Sequence, residues 1–311
     1  MQLITDQDIN KNHGKPMVVA LGSFDGVHHG HRIIIEETVR QAKDKDALSG
    51  VFTFYPHPLK ILAPEKAPGL ITALSQKKEI LGQLGLDRFI LKSFTKEFAS
   101  TNFRTFVEEY LVNYLDVRGV VIGEDFRFGK GSMGDAEGMV RLGEEYGFTV
   151  TIFDTLRVEG VEVRSTLIRN LITSGQVDKV QDYLKRPYSL LGKVVHGDGR
   201  GNKIGFPTAN LSPAVDYVIP EHGVYVGYSK IKGERYPSVI NIGVRPTFAK
   251  KELSIEIHIL DFSDNLYGDI LEVELIDRIR PETNFASVED LMAQIDKDIA
   301  KARQILEKRA D

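Results

Sequence analysis

The chain has 311 residues, a formal net charge of -4, 42% hydrophobic and 27% charged residues, and no cysteine. That size suits about two domains with a core each. The slight acidity supplies no basic field for nucleic acid, and the missing thiols exclude disulfides, thiolate nucleophiles and Cys-ligated zinc. The start, Met1 to Asp6, is polar and carries no signal pattern, and no apolar run approaches the roughly 18 residues that span a bilayer. A soluble, cytoplasmic protein without nucleic-acid or membrane partners is expected, as a monomer or weak oligomer.

In chain order, Met17 to Leu21 reads as a buried strand, Gly22 to Gly26 as a turn, and His29 to about Lys45 as a helix with Ile35, Val39 and Ala42 on one face. Further strands are expected at Gly50 to Phe54, Arg88 to Leu91, Gly119 to Ile122 and Phe148 to Ile152, with helices between them, notably Phe103 to Leu115 and Ala136 to Tyr146. Such alternation implies an α/β fold with a parallel sheet covered on both faces and ligands at the carboxyl ends of its strands. Past Pro187 the grammar changes to short β segments: Leu190 to Val195, Gly223 to Ile231, Pro237 to Ile242, Leu253 to Asp261 and Ile270 to Ile276. A small antiparallel barrel is expected. A closing helix starts near Ser287, an N-cap with Asp290 after it, and carries the stripe Leu291, Ile295, Ile299 and Ala302. The linker near Arg186 and Pro187 predicts domains at 1–185 and 186–311.

His28, His29 and His31 fall at the start of the first helix, after the glycine-rich turn. Backbone N–H groups and the dipole at a helix start attract anions, and imidazoles add donors there. Two unit charges about 4 Å apart are worth on the order of 4 kcal/mol at an effective dielectric of 20. His28 and His31 lie one turn apart on one side. From the residues alone, helix-capping surface histidines and a shared metal ion stay open beside a phosphate site. In the second half, Gly197 to Gly205 is a glycine-dense loop whose amides suit phosphates, though glycine content alone favours a mobile barrel loop. No Walker A pattern occurs. Gly129 to Gly134 satisfies G-x-G-x-x-G with Asp154 at a fitting distance, but the glycines stand several residues beyond the strand end at Ile122, so a loop is expected rather than a dinucleotide site.

The string from Gly22 to His31 resembles the HxGH signature of the nucleotidyltransferase superfamily in the form used by bacterial FAD synthetases. Thr53 to Pro58, Gly123 to Gly129 and Val163 to Arg169 resemble later segments of that family, with Arg164 where the family usually has Ser. Gly205 to Asn210 resembles the PTAN motif of riboflavin kinases, and further similar segments follow: Gly223 to Tyr225, Asn241 to Phe248, Glu256 to His258 with Asp261 and Phe262, Leu266 to Gly268, and Arg280 to Glu282 with Phe285. The resemblance implies a Rossmann-like nucleotidyltransferase domain followed by a riboflavin kinase-like barrel, converting riboflavin to FMN and FMN to FAD with ATP and Mg²⁺. In the first domain it implies that Gly22, Phe24, His28, His31, Ser165, Thr166 and Arg169 bind ATP, and that His57, Pro58, Asp125, Phe126 and Phe128 line the FMN site. In the second it implies that Gly205, Thr208 and Asn210 bind ATP, with Thr208 and Asn210 on Mg²⁺, that Glu256 is the general base, and that Glu256 and Arg280 meet the flavin. Arg280 is equally suited to an exposed ion pair with Glu282.

Overall fold

The computed structural model describes residues 1–8, 14–197, 201, 204–246 and 251–309. Most of the expected phosphate loop (Asp198, Gly199, Arg200, Asn202 and Lys203), together with Thr247 and Phe248, therefore lies outside the described residues. Two compact units emerge, one of residues 1–68 and 74–164, the other of residues 69–73 and 165–311.

In the first unit every expected strand forms: β2 (Met17–Leu21), β3 (Leu48–Tyr55), β4 (Arg88–Ser93), β5 (Val117–Gly123) and β6 (Thr149–Phe153), with β1 (Gln2–Ile4) added at one edge. All pair in parallel in the order β1-β4-β3-β2-β5-β6. Strand β2 is apolar throughout because both its faces are buried. Met17, Val19 and Leu21 join one core with Phe52, Phe106, Leu111 and Met139, whereas Ala20 joins another with Ile35, Val51, Leu81 and Phe89. The helices are α1 (His29–Asp44), α2 (Pro58–Leu62), α3 (Leu74–Gln83), α4 (Lys96–Ala99), α5 (Phe103–Phe106) and α6 (Ala136–Tyr146). The stretch Val107–Tyr114 continues α5 as a π-helix. Connections from β2 run outward to β3 and β4 on one side, and β5 and β6 lie on the other. The order thus reverses between β2 and β5, and the crevice at such a reversal is where open α/β sheets bind ligands. A two-stranded ribbon, β7 (Arg157–Val158) with β8 (Val161–Glu162), follows.

The second unit opens with α7 (Ser165–Thr173) and α8 (Val177–Leu184). Its barrel consists of β9 (Tyr188–Val195), β10 (Ala209–Pro213), β11 (Gly223–Ile231), β12 (Glu234–Pro246), β13 (Lys251–Ile259) and β14 (Ile270–Pro281), closed in the order β10-β13-β12-β11-β14-β9. Alternation sorts the side chains: Tyr225, Ile240, Ile242, Ile255, Ile257 and Val273 fill the interior, with Ile168, Ile172, Val180 and Leu184 of α7 and α8 in the same cluster. Val224, Val226 and Val239 face outward and are covered by Ala302 and Leu306 of α9 (Val288–Lys308). Ser287 caps α9, accepting from the Asp290 N–H at 3.1 Å.

Candidate active sites

The turn after β2 is held in a costly shape. Phe24 (φ +48°) and Val27 (φ +41°) both adopt left-handed backbone, which a β-branched residue rarely tolerates. Burial of both side chains and a set of ties sustain it. The Gly22 N–H donates to Phe52 O (3.2 Å), and Ser23 O accepts from Thr53 Oγ1 (3.1 Å) and Lys77 Nζ (2.7 Å). Lys77 is buried. Burial pushes its ammonium below the usual lysine range, and the attraction of Asp25, also buried, partly offsets that. Phe24 is thus a core anchor of the turn, and its ring meets His31 edge-on at 5.2 Å.

His28 is the N-cap of α1: its Nδ1 accepts from the His31 N–H at 3.3 Å. An accepting ring nitrogen carries no hydrogen, so the neutral ring bears its proton on Nε2. The His28 and His31 rings stack at 3.5 Å with 17° between their planes. His31 is held well below the ordinary histidine range, first by burial, then by repulsion from His28 and Lys77. Its Nδ1 is buried without a hydrogen-bond partner among the described residues. Two stacked imidazoles at a helix start, with the backbone N–H groups beside them, form a donor array for an anion. Among the described residues no group of three His, Cys, Asp or Glu is arranged to hold a metal ion.

The other expected residues of this half are placed as follows. His57 caps α2, its Nδ1 accepting from the Leu59 N–H at 3.2 Å, with Pro58 in the first turn. After β5, Phe126 stacks on Phe128 (5.5 Å, 17°), and Phe128 is buried against Phe103 and Phe106. Asp125 is exposed and accepts from Arg164 Nη1 at 2.6 Å; the same guanidinium reaches Glu162 (3.0 Å) and Thr155 Oγ1 (3.1 Å). The Arg at the departing position is therefore fully engaged in tethering the loop that carries Asp125. Gly129 serves packing, since a Cβ there would lie 2.6 Å from Phe103 Cα, which explains the glycine without a dinucleotide. Ser165, Thr166 and Arg169 belong to the second unit, where Ser165 opens α7, Thr166 is exposed and Arg169 Nε donates to Gly69 O at 3.0 Å.

In the barrel, cross-strand register builds the site. Glu256 pairs with Asn210 of β10 on one side and Asn241 of β12 on the other. Its neighbours Ile255 and Ile257 point inward, so Glu256 and both amides lie in a row on the outer face. Ser254 Oγ donates to Glu256 Oε1 at 3.2 Å. Gly197 leaves room for the Asn210 side chain as placed, since a Cβ there would lie 2.2 Å from its amide nitrogen and push it aside. Gly205 has φ +84° and needs its own freedom. His258 Nδ1 lies 2.8 Å from Pro207 O, and since a carbonyl can only accept, that nitrogen donates and fastens the loop bearing Thr208.

Two cavities meet at Thr208. One, of about 310 Å³, contains Glu256, Asn241, Arg280 and Phe285 together with Leu291 and Ile295 of α9. The other, of about 230 Å³, is lined by Ala209, Ile257, Phe262 and the loop Ser263 to Tyr267. Arg280 does not pair with Glu282; its Nη2 meets Asp298 Oδ2 at 2.9 Å. Asp298 and Lys77 are the two site neighbours that sequence reasoning missed. Each stands in a charged run, Asp296-Lys297-Asp298 and Lys77-Lys78-Glu79, that reads as a solvated face.

An anion-gripping helix start on the parallel sheet of one unit, and in the other a barrel that sets a carboxylate in the larger of two cavities, define a nucleotide-using transferase. The sequence matches the FAD synthetase family over residues 10–167 and the riboflavin kinase family over residues 184–306. It is 38% identical to the bifunctional riboflavin kinase/FMN adenylyltransferase of Escherichia coli strain K12 across 92% of each chain. It is 37% identical to the enzyme of that name from Bacillus subtilis strain 168, across 92% of this chain and 91% of that one. The fold also superposes on a crystal structure described as a macrolide-efflux protein from Streptococcus pneumoniae, with a TM-score of 0.88 and 30% identity over 97% of this chain and 99% of that one. No helix among the described residues is long and apolar enough to cross a membrane. The chain belongs to the family of bifunctional riboflavin kinases/FMN adenylyltransferases.

Proposed function

We propose that the chain phosphorylates riboflavin to FMN on the barrel and adenylylates FMN to FAD through the residues of the HxGH turn, consuming one ATP in each reaction. The observation that carries this reading is the row Asn210, Glu256, Asn241, of which Glu256 and Asn241 line the larger of two cavities that share Thr208. The larger cavity, apolar on the α9 side, takes the flavin. The smaller takes ATP, with its γ-phosphate toward Thr208. Glu256 then accepts the proton of the ribityl 5′-hydroxyl as that oxygen attacks the γ-phosphorus and ADP leaves. Thr208 and Asn210 offer oxygen donors only, which suits Mg²⁺, an ion that binds through few protein oxygens and the substrate phosphates. When bound there, Mg²⁺ supplies charge neutralisation on the phosphates.

In the adenylylation step, the FMN phosphate attacks the α-phosphorus of ATP in line and pyrophosphate leaves. His28 Nε2, His31 and the N–H groups of α1 hold the phosphates. Ser165, Thr166 and Arg169 at the start of α7 hold the far end of the triphosphate, and His57, Pro58, Asp125 and Phe126 line the flavin side with Phe128 as support. Such transfer depends on orientation and charge stabilisation more than on an acid or base. We place the enzyme in the cytoplasm as a monomer or weak oligomer acting on small molecules, without membrane or nucleic-acid partners. The test is to incubate pure protein with riboflavin, ATP and Mg²⁺ and separate the flavins chromatographically. FMN and then FAD are expected, and a sample of folded protein that leaves both riboflavin and added FMN unchanged refutes the reading.

A further inference from the structure

Asp298 is 3% exposed, in the middle of a helix whose other inward residues at the cavity, Leu291 and Ile295, are apolar. A buried carboxylate is costly unless its oxygens are satisfied. Here Arg280 Nε meets Oδ1 at 3.1 Å and Oδ2 at 3.0 Å, Arg280 Nη2 meets Oδ2 at 2.9 Å, and Gln294 Nε2 donates to Oδ1 at 2.9 Å. The fork of Arg280 is thereby locked. Its Nη1 donates to Pro281 O at 3.1 Å, and Phe285 lies 5.6 Å from the guanidinium carbon. Arg280, Asp298 and Phe285 line the same cavity as Glu256 and Thr208. Glu282 lines it too, so an Arg280 released from Asp298 has a competing carboxylate at hand.

We propose that Asp298 is a positioning residue for riboflavin phosphorylation: through Arg280 it fixes how the flavin lies in the cavity, and so how the ribityl hydroxyl meets Glu256. The inference rests on the kinase-site reading above. An arginine donates in a rigid plane, so fixing Nε and Nη2 fixes the direction of the remaining N–H edge, and with it the carbonyl side of a bound isoalloxazine. A small misplacement of a reacting group costs up to about 100-fold in rate.

The test is Asp298→Asn in the full chain, which keeps size and removes charge. The expected result is a loss of about 10- to 100-fold in kcat/KM for riboflavin, a weaker riboflavin Kd by flavin fluorescence quenching, and a KM for ATP unchanged. FAD formation from supplied FMN serves as the internal control for folding of the remaining chain. Arg280→Lys, which keeps the charge but loses the fork, is expected to reproduce the riboflavin-specific loss, and Asp298→Glu to restore part of it. If Asp298→Asn lowers the melting temperature while its kinetic constants stay at wild-type values, Asp298 is a helix-docking residue and the proposal is overturned. A comparable rise in KM for ATP overturns it equally. Glu256→Gln separates the two levels: if it leaves kinase turnover intact, the site reading itself has failed, whereas if it acts as expected and Asp298→Asn does not, only the role of Asp298 falls.

Discussion

Glu256 lies between two amide side chains on a rigid strand, with Ser254 Oγ donating to it. A carboxylate so fixed is oriented before the alcohol arrives. Glu256→Gln keeps the shape and most hydrogen bonds but cannot take a proton. We expect riboflavin binding to persist and FMN formation to slow by about two to four orders of magnitude, the usual share of a general base. Conversion of supplied FMN to FAD should not change, and unaltered kinase turnover would remove Glu256 from its role. His31 gives a second prediction. The folded protein keeps its imidazole neutral well below the ordinary histidine pKa, for which burial is the first cause. The unfolded chain takes up that proton near pH 6.5. Below this pH the unfolded state therefore binds more protons than the folded one, and stability falls as pH falls, by up to about 1.4 kcal/mol per pH unit. His31→Gln should flatten the decline of melting temperature between pH 7.5 and 5.5. Equal slopes for the two proteins would show that His31 does not contribute. Of the residues discussed at this scale, Glu256 and His31 stand out in the sequence because a motif carries them. Lys77 and Asp298 do not, because neighbouring charges disguise a buried ion as part of a solvated run.

At the scale of elements, the legible features were those with one dominant period. β2, β11 and α6 appear where apolar runs, alternation and capping signals agree. β10 was missed because Ala209 to Pro213 holds a polar Asn and ends in Pro, so its strand character comes only from pairing with β9 and β13. The stretch Phe103 to Leu115 reads as one regular helix, yet it turns into a π-helix at Val107. Phe106, Tyr110 and Tyr114 explain the tolerance: Phe106 and Tyr110 stack at 5.8 Å and Tyr110 meets Tyr114 edge-on at 5.5 Å. Ring packing compensates for a hydrogen-bond pattern that is rare on its own. The expected cap of α9 forms, and it has a measurable value. Ser287→Ala removes the acceptor for the Asp290 N–H and should cost about 1 kcal/mol. Because α9 also forms the wall of the larger cavity, fraying of its first turn should raise the KM for riboflavin modestly and leave the KM for ATP unchanged. A Ser287→Asp variant, which restores a capping acceptor, should reverse both effects.

At the scale of the whole molecule, sequence order and packing order part company. The segment 69–73 lies within the first half of the chain but folds with the second unit. Leu70 forms a parallel bridge with Tyr217, its N–H donating to Asp216 O at 2.8 Å, while Val218 N–H donates to Leu70 O at 3.0 Å. Arg169 and Arg186 hold the same segment through Gly69 O (3.0 Å) and Thr72 Oγ1 (3.3 Å). Ile71, 2% exposed, belongs to the barrel's own core. Five residues between Pro68 and a helix carry no period that reveals this, since the pairing partner is remote in sequence. The consequence can be tested with Ile71→Ala. Truncating a buried Ile costs about 2–5 kcal/mol, and for a unit of this size each kcal/mol lowers the melting temperature by roughly 2–4 °C. The loss should fall on the unit that phosphorylates riboflavin, although residue 71 lies between β3 and β4 of the other unit's sheet in the sequence. Kinase activity should therefore inactivate at a lower temperature than in wild type, while adenylylation of supplied FMN keeps its wild-type profile. The opposite order of inactivation would mean that segment 69–73 stabilises the nucleotidyltransferase unit instead, against the packing of Ile71 among Ile168, Tyr188 and Leu275.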